Sequence, residues 1–427
     1  MKLRHLTPFL LLAAGCGGGG SKSVDSQVND TFRSVAQPYL AGDLWSEAEC
    51  YDAGVWLPVP VMYAARTKNA PMMAAFRGFF DRMLDAVSEL PSQYDLHRIQ
   101  FAYCMALYIG EAQRNGLGSL IPPRLPEFVG REFKRMWNEI PAWQWDTEPF
   151  PGGVEEKVNW KLGPRGIDNY YYAINDDEMF TMCTAAELLS YARATGNLTE
   201  LTPDLFAATA LGVRVVKERG ERTSEGGWLF NRGVWTLHKD YAYAGYTTTE
   251  PVENLPMRRP NIAEDSSHSN RWGAWLHSLE VGTYRSAEAA AMREVRGRLA
   301  WQILNRVVLF TRSTDEVNPL RVEFANYMDG HNGFYGWKFT GNGGTGYRPS
   351  ELSGTPYIGW WGAVGGSGIS DLYRVMADQF PLTTQELDLY SYETARYRNP
   401  RITDPASYQN GFRWMLCEMA AQLAAGQ

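Results

Sequence analysis

The sequence predicts a mainly helical protein, and three observations carry that prediction. Apolar residues recur at helical spacing through most of the chain from about Gln27 onward. Many of these periodic segments close on Gly or Asn, residues that end helices in a left-handed turn. Strand-like alternation is scarce and confined to segments such as "GVWTLHKDYAYAGY". Hydrophobic residues make up 44% of the 427 and charged residues 21%, which permits a sizeable core and excludes a disordered bulk.

Taken from the N-terminus, residues 1–15 read as a targeting segment. Lys2, Arg4 and His5 precede a short apolar run, Leu6 to Ala14, that ends in "AAGC". This resembles a bacterial lipoprotein signal, and the resemblance implies cleavage before Cys16 and a lipid on its thiol. The leucine expected three places before the cysteine stands one place earlier, at Leu12, with Ala13 in its position. Residues 16–26 carry "GGGGSKS", a flexible tether composition, and residues 27–427 form the expected single domain. The apolar run is too short to span a bilayer, so the lipid would be the membrane anchor.

Helices are predicted over "PMMAAFRGFFDRMLDAVSEL" from Pro71, and over "LHRIQFAYCMALYIGEAQRNG" up to Gly116. "DEMFTMCTAAELLSYARATGN" is apolar almost all round and predicts a buried helix. "TPDLFAATALGVRVVKERG" brings Thr202 as cap, Pro203 in the first turn and Gly220 as stop. Further helices are expected at Glu264 to Glu280, Ser286 to Phe310, Ile369 to Asp378, Thr384 to Tyr397 and Tyr408 to Ala424. Two long loops, Glu221 to Ile262 and Tyr327 to Gly368, interrupt them, and such loops in a compact domain are usually functional. Cys50, Cys104, Cys183 and Cys417 are far apart, three of them in apolar helical contexts, and are expected as buried thiols.

A dozen or so helices of alternating character, joined by Gly turns and carrying inserted aromatic loops, resemble the (α/α)6 toroid. That double ring of helices is shared by polysaccharide lyases and six-hairpin glycosidases. The resemblance implies that inner-helix ends and the loops before them line a substrate groove.

The candidate site residues lie at such ends. "NIAEDSSHSNRWGAWLHSL" placed on a helix sets Glu264, His268, Arg271, Trp272, Trp275 and Leu279 on one face, with Asp265 at its edge. The apolar part of that stripe needs a core, so the acids and the histidine belong at its rim. The competing reading is a capped helix start whose acids only favour the helix dipole. "YYYAINDDEMF" repeats the pattern, with Asp176, Asp177 and Glu178 opening the other buried helix. "SQYDLHRIQF" is a weaker third case. In the first long loop, His238, Asp240, Tyr241 and Tyr243 could move protons or stack on sugar, and Trp235 stands beside them. Trp337, Tyr347, Trp360 and Trp361 are candidates for a sugar-stacking surface.

Function classes narrow accordingly. A formal charge of −7 argues against nucleic acid as a main partner. The glycine-rich loops lack the Lys-Ser/Thr ending of a phosphate loop, and neither HExxH nor a convincing GxSxG is present, so no cofactor or metal is expected. The expectation is an enzyme outside the cytoplasm acting on a polysaccharide, by β-elimination on a uronate or by inverting hydrolysis. Its partners would be the glycan and, through the lipid, the membrane, with no obligate protein partner. A glycan-binding lipoprotein without catalysis is the alternative from a different class.

Overall fold

The computed structural model describes residues 22–144, 149–163, 169–241, 260–312, 320–336, 346–391, 399–403 and 405–426. Its centre is built from the helices whose sequences are apolar all round. Asp176–Thr195 is buried along almost its whole length, and so are Asp95–Arg114 and Trp272–Gly282. A helix that hides every face has no amphipathic stripe, which is why Asp95–Arg114 and Asp176–Thr195 show none in sequence. Asp176–Thr195 starts in a reciprocal cap, where Glu178 reaches back to the Asn175 amide, and stops at Gly196 with φ +76°.

The helices pack as a succession of neighbours. Asp95–Arg114 lies on Asp176–Thr195, which lies on Trp272–Gly282. Trp272–Gly282 meets the short 3-10 segment Trp360–Val364, which lies on Phe412–Ala425. Phe412–Ala425 contacts Pro58–Arg66, itself a neighbour of Asp95–Arg114. Further helices flank this set: Leu125–Lys134 packs on Asp95–Arg114, Thr202–Arg219 on Asp176–Thr195, Ser286–Gln302 on Trp272–Gly282, and Ser367–Asp378 on Phe412–Ala425. Gly282 permits one of the closest approaches, since a Cβ there would lie 2.6 Å from that of Ala186.

The described residues depart from the predicted elements in several places. The helix expected from Glu264 begins only after Asp265, as Ser266–Ser269, and resumes as Trp272–Gly282 after a tight turn. Glu264 therefore precedes the helix instead of sharing its face. The helix expected to Phe310 ends at Gln302, followed by a π turn and the strand Val308–Arg312, paired with Leu320–Phe324. The β-branched pair Val307 and Val308 carried that strand signal beneath a helical period. The helix expected to Tyr397 is observed as Thr384–Tyr390, and residues 392–398 lie outside the described set. Gly411, at φ +86°, divides the last helix into Ala406–Gln409 and Phe412–Ala425. The alternation in "GVWTLHKDY" forms turns and a 3-10 segment, Lys239–Tyr241, instead of a strand. Cys50, Cys104, Cys183 and Cys417 are buried free thiols. No described helix is long and apolar enough to cross a membrane.

Candidate active site

The site grows from the break in the predicted helix. Asp265 pairs with Tyr327 in an isolated antiparallel bridge, and the Ser266 amide donates to Asn326 O at 2.8 Å, so the chain enters the helix in extended form. That entry makes Asp265 the N-cap. Its Oδ1 accepts from the amides of Ser267 (3.1 Å) and His268 (3.0 Å) and from the Ser267 hydroxyl (2.8 Å). Its Oδ2 lies 2.8 Å from His268 Nδ1 and accepts from the Tyr241 hydroxyl at 2.8 Å. The Asp265 amide in turn donates to Tyr241 Oη at 3.3 Å. Asp265 is wholly buried, whereas the His268 side chain is 44% exposed. The carboxylate thus fixes one ring nitrogen, and Nε2 of the partly exposed ring has no partner among the described residues.

Electrostatics follow from that arrangement. Burial alone would raise the Asp265 carboxyl, but the charge and hydrogen bonds of His268 hold it well below the usual range. Burial alone would lower His268, and the Asp265 charge and hydrogen bond push it up to about 9. Glu264 goes the other way: burial, then the neighbouring Asp265 charge, push its carboxyl up to about 7. Glu264 Oε2 accepts from Ser269 Oγ at 2.8 Å and Trp272 Nε1 at 3.3 Å, and Oε1 has no partner among the described residues. Near neutrality the site therefore holds an imidazolium beside a carboxyl that is about half ionised.

Arg271 closes one side. It lies 2.9 Å from Asp176 Oδ2, at the first position of the Asp176–Thr195 helix, with its guanidinium 5.9 Å from the Phe180 ring. This joins the starts of the two buried helices. The other acids of the second cluster turn away: Asp177 meets Lys157 at 2.9 Å, and Glu178, fully buried, is held by Lys161 and its capping role. Asp177 and Glu178 are thus each held by cations of Gly153–Lys161, Lys157 and Lys161. Asp95, in the third case, pairs with Arg135 at 2.8 Å.

Aromatic rings cover the other side. Tyr241 is buried and stacked on Trp235, centroids 5.2 Å apart at 5°. Tyr335, half-buried, stands 5.5 Å from Tyr241 and 6.1 Å from the His268 ring, and exchanges backbone hydrogen bonds with Tyr347. His238 packs edge-on against Trp235, at 5.4 Å, and Tyr170, at 4.8 Å, beyond Tyr241. Trp360 and Trp361 are corrected to core: both are essentially inaccessible, with Trp360 Nε1 donating to Val55 O and Trp361 edge-on to Phe324. Cys16, Tyr243 and Trp337 lie outside the described residues.

Sequence reasoning passed over Tyr335, Tyr327 and the role of Asp176. The spacing Asp-x-x-His at a helix start was the legible signal for the dyad, because an N-cap side chain reaches the third residue after it. No trio of metal-ligating groups is formed among the described residues. Compared with known protein families, curated proteins and solved structures, the chain matches none.

Proposed function

We propose that this chain is a carbohydrate-active enzyme of the bacterial envelope, built as an (α/α)6-type toroid and cleaving a uronate polysaccharide by β-elimination. The toroid is supported by the succession of neighbours, in which Phe412–Ala425 returns to Pro58–Arg66. One observation carries the chemistry. Glu264 lies within reach of the His268 charge, and their surroundings push them to about 7 and about 9, so an ionised base and a protonated acid coexist between those values. In the elimination, Glu264 takes the C5 proton, the C5–H electrons form the C4–C5 double bond, and the C4–O4 bond breaks as the His268 imidazolium protonates O4. Asp265 stays ionised beneath His268, and Arg271 is the cation that would meet the uronate carboxylate once it is shared away from Asp176.

The same raised Glu264 would suit the general acid of an inverting hydrolase, which makes that the second reading. Such a hydrolase also needs a second carboxylate open to water. Asp176, Asp177, Glu178 and Asp265 are each tied to a cation, which favours elimination.

The deciding experiment is a panel of acidic and neutral polysaccharides followed in parallel by the ultraviolet absorbance of unsaturated products and by reducing ends. Absorbance rising with reducing ends supports the lyase; reducing ends alone support the hydrolase; binding without cleavage supports a non-catalytic glycan holder. Anchoring has its own test. Cys16→Ser should move the chain from the membrane to the soluble fraction, and unchanged membrane association would sink the lipoprotein reading.

A further inference from the structure

The first described residues run beside an open groove. Ser23 caps the helix Val24–Thr31, its hydroxyl accepting from the Ser26 amide at 3.2 Å, and the run continues through a π turn, Phe32–Ala36, into Gln37–Leu40. Ser26, Asn29, Arg33 and Gln37 recur every three to four residues and so share one side of that run. Facing them is the start of Ala70–Ala86, and a groove of about 840 Å³ lies between the two walls. The Asn69 side-chain amide ties the walls together by donating to Asn29 Oδ1 at 2.8 Å. Phe32 and Met72 line the groove as buried apolar groups, whereas Pro71, Arg33 and Gln37 line it as exposed ones. Two cations share one acid beside it: Arg33 pairs with Asp30, and Lys22 Nζ lies 2.6 Å from the same carboxylate. Asp25 is engaged elsewhere, accepting from Gln422 of Phe412–Ala425 at 3.0 Å.

We propose that this groove is the membrane-docking face of the protein and seats the phosphodiester and upper acyl methylenes of a bilayer phospholipid. The assignment rests on the lipoprotein reading of Cys16, which sets where the bilayer lies. Six peptide steps separate Cys16 from Lys22 and span at most about 22 Å. A compact chain of about 400 residues is on the order of 55 Å across, so the face that Lys22 enters is the one held toward the lipid. Ser26 stands about one helical turn beyond Lys22, which puts the groove on that face. Its lining matches an amphiphile: Phe32, Pro71 and Met72 offer apolar contact to methylenes, Ser26 and Gln37 can donate to ester oxygens, and Arg33 can meet a phosphate. The excess of cations over Asp30 suits the negative charge of a phosphodiester.

The test uses the full chain, purified from membranes with its own anchor and placed in vesicles of phosphatidylethanolamine and phosphatidylglycerol. Cys50, Cys104, Cys183 and Cys417 are buried, so a cysteine introduced at the exposed Gln37 or Glu200 takes a fluorophore selectively. Glu200 precedes Thr202–Arg219, which packs on Asp176–Thr195 and Trp272–Gly282 and not on the groove walls. A phospholipid carrying a nitroxide near its headgroup should quench the fluorophore at Gln37 and leave the one at Glu200 unquenched. Ser26→Asp and Arg33→Gln should each cut the quenching at Gln37 about tenfold, the scale of one altered headgroup charge, while Arg33→Lys keeps it. A carboxylate at position 26 lies in the first turn of Val24–Thr31 and favours that helix, so its effect is not one of unfolding.

Equal quenching at the two positions in vesicle-bound protein would overturn the docking face and leave the lipoprotein reading standing. A chain that never enters the membrane fraction would overturn both. Quenching at Gln37 that survives Ser26→Asp and Arg33→Gln unchanged would bring that face near the bilayer with no lipid seated in the groove, and would overturn the proposal. Shielding of the Gln37 fluorophore from aqueous iodide in Cys16→Ser protein without vesicles would also overturn it, because a stretch of residues 1–21 would then be the occupant.

Discussion

Two histidines follow one another along the same stretch of chain, each against a carboxylate, and the structure treats them in opposite ways. His268 is 44% exposed, 2.8 Å from Asp265, and pushed up to about 9. His277 is 13% exposed, 2.9 Å from Glu111, and pushed down to about 3. Burial, partial at His268 and nearly complete at His277, lowers both, so the carboxylate contact alone does not decide. The remaining neighbours do. His268 has Asp265 and Asp176 near it against the one cation Arg271, whereas His277 is crowded by Arg66 and Arg114, whose charges oppose a third cation. Around His277 the acids are spent on those arginines: Glu111 on Arg66 at 2.6 Å and Glu187 on Arg114 at 2.8 Å, with Ser278 also donating to Glu187. One cluster keeps a proton ready at the surface; the other fastens four helices together with charge fully matched.

The largest effect expected from that contrast is on turnover. His268→Ala and Glu264→Gln should each reduce glycan cleavage by about 10² to 10⁴, the scale of a positioned proton-transfer group, with the circular dichroism spectrum unchanged. His277→Ala should leave turnover per folded molecule close to wild type. A large catalytic loss in the His277 variant, or none in the other two, would break the assignment.

Stability should show the reverse order. Glu187→Ala strips a buried partner from Arg114 and should cost about 3 kcal/mol in urea unfolding, the low end for a broken buried pair because Glu111 remains within 3.3 Å of Arg114. The same measurement on Glu264→Gln should move far less, since an amide at that position removes a carboxyl whose charged form is already disfavoured.

Titration sharpens the comparison further. The His268 ring should titrate near 9 by NMR, and His277 should stay neutral down to about 3. The linkage signs are opposite. His268 binds its proton more tightly folded than unfolded, so its contribution is complete below about 6.5 and is lost as pH rises through about 9. His277 binds its proton less tightly folded, so its contribution is present above about 6.5 and is lost as pH falls toward 3. If the proposed elimination operates, activity should rise through about 7 and fall through about 9. An activity that instead falls as pH rises through 7 would assign Glu264 as a hydrolase acid.

The fold was legible where burial is uniform. The run Met179 to Leu189 is apolar on every face apart from small threonines and one glutamate, and it became the buried length of a central helix. The site was legible as composition but not as geometry. Two acids and a histidine announced a site, yet helical projection put Glu264 and His268 on a common face, because nothing local in "NIAEDSS" says that the chain arrives as a bridge to Tyr327. The partner that starts the helix late comes from over sixty residues downstream, and such pairings leave no periodic trace. Trp360 and Trp361 misled for a similar reason. Gly-flanked tryptophans read as exposed loop, but a 3-10 segment buried between Trp272–Gly282 and Phe412–Ala425 has the same composition.

The smallest expected effect concerns Tyr241, which the sequence offers as a catalytic group and the structure buries against Asp265. It is 3% exposed, and its hydroxyl donates to the same Asp265 oxygen that His268 Nδ1 approaches. Burial, then the Asp265 charge, push its own ionisation well above the usual range, so it cannot serve as a base near neutrality. Its work is to hold Asp265 in place and share the load on that carboxylate. Tyr241→Phe keeps the ring on Trp235 and removes one hydrogen bond to a charged group, which should cost about 1.5 to 3 kcal/mol of stability. Asp265, relieved of one donor, should then hold the His268 proton more strongly, so the alkaline limb of the activity profile should move upward while the rate at its plateau falls by about tenfold or less. A loss of 10² to 10⁴ with the alkaline limb unmoved would instead put the phenol at the reacting atoms, and the geometry beneath His268 would have to be reread with Tyr241 swung into the cleft.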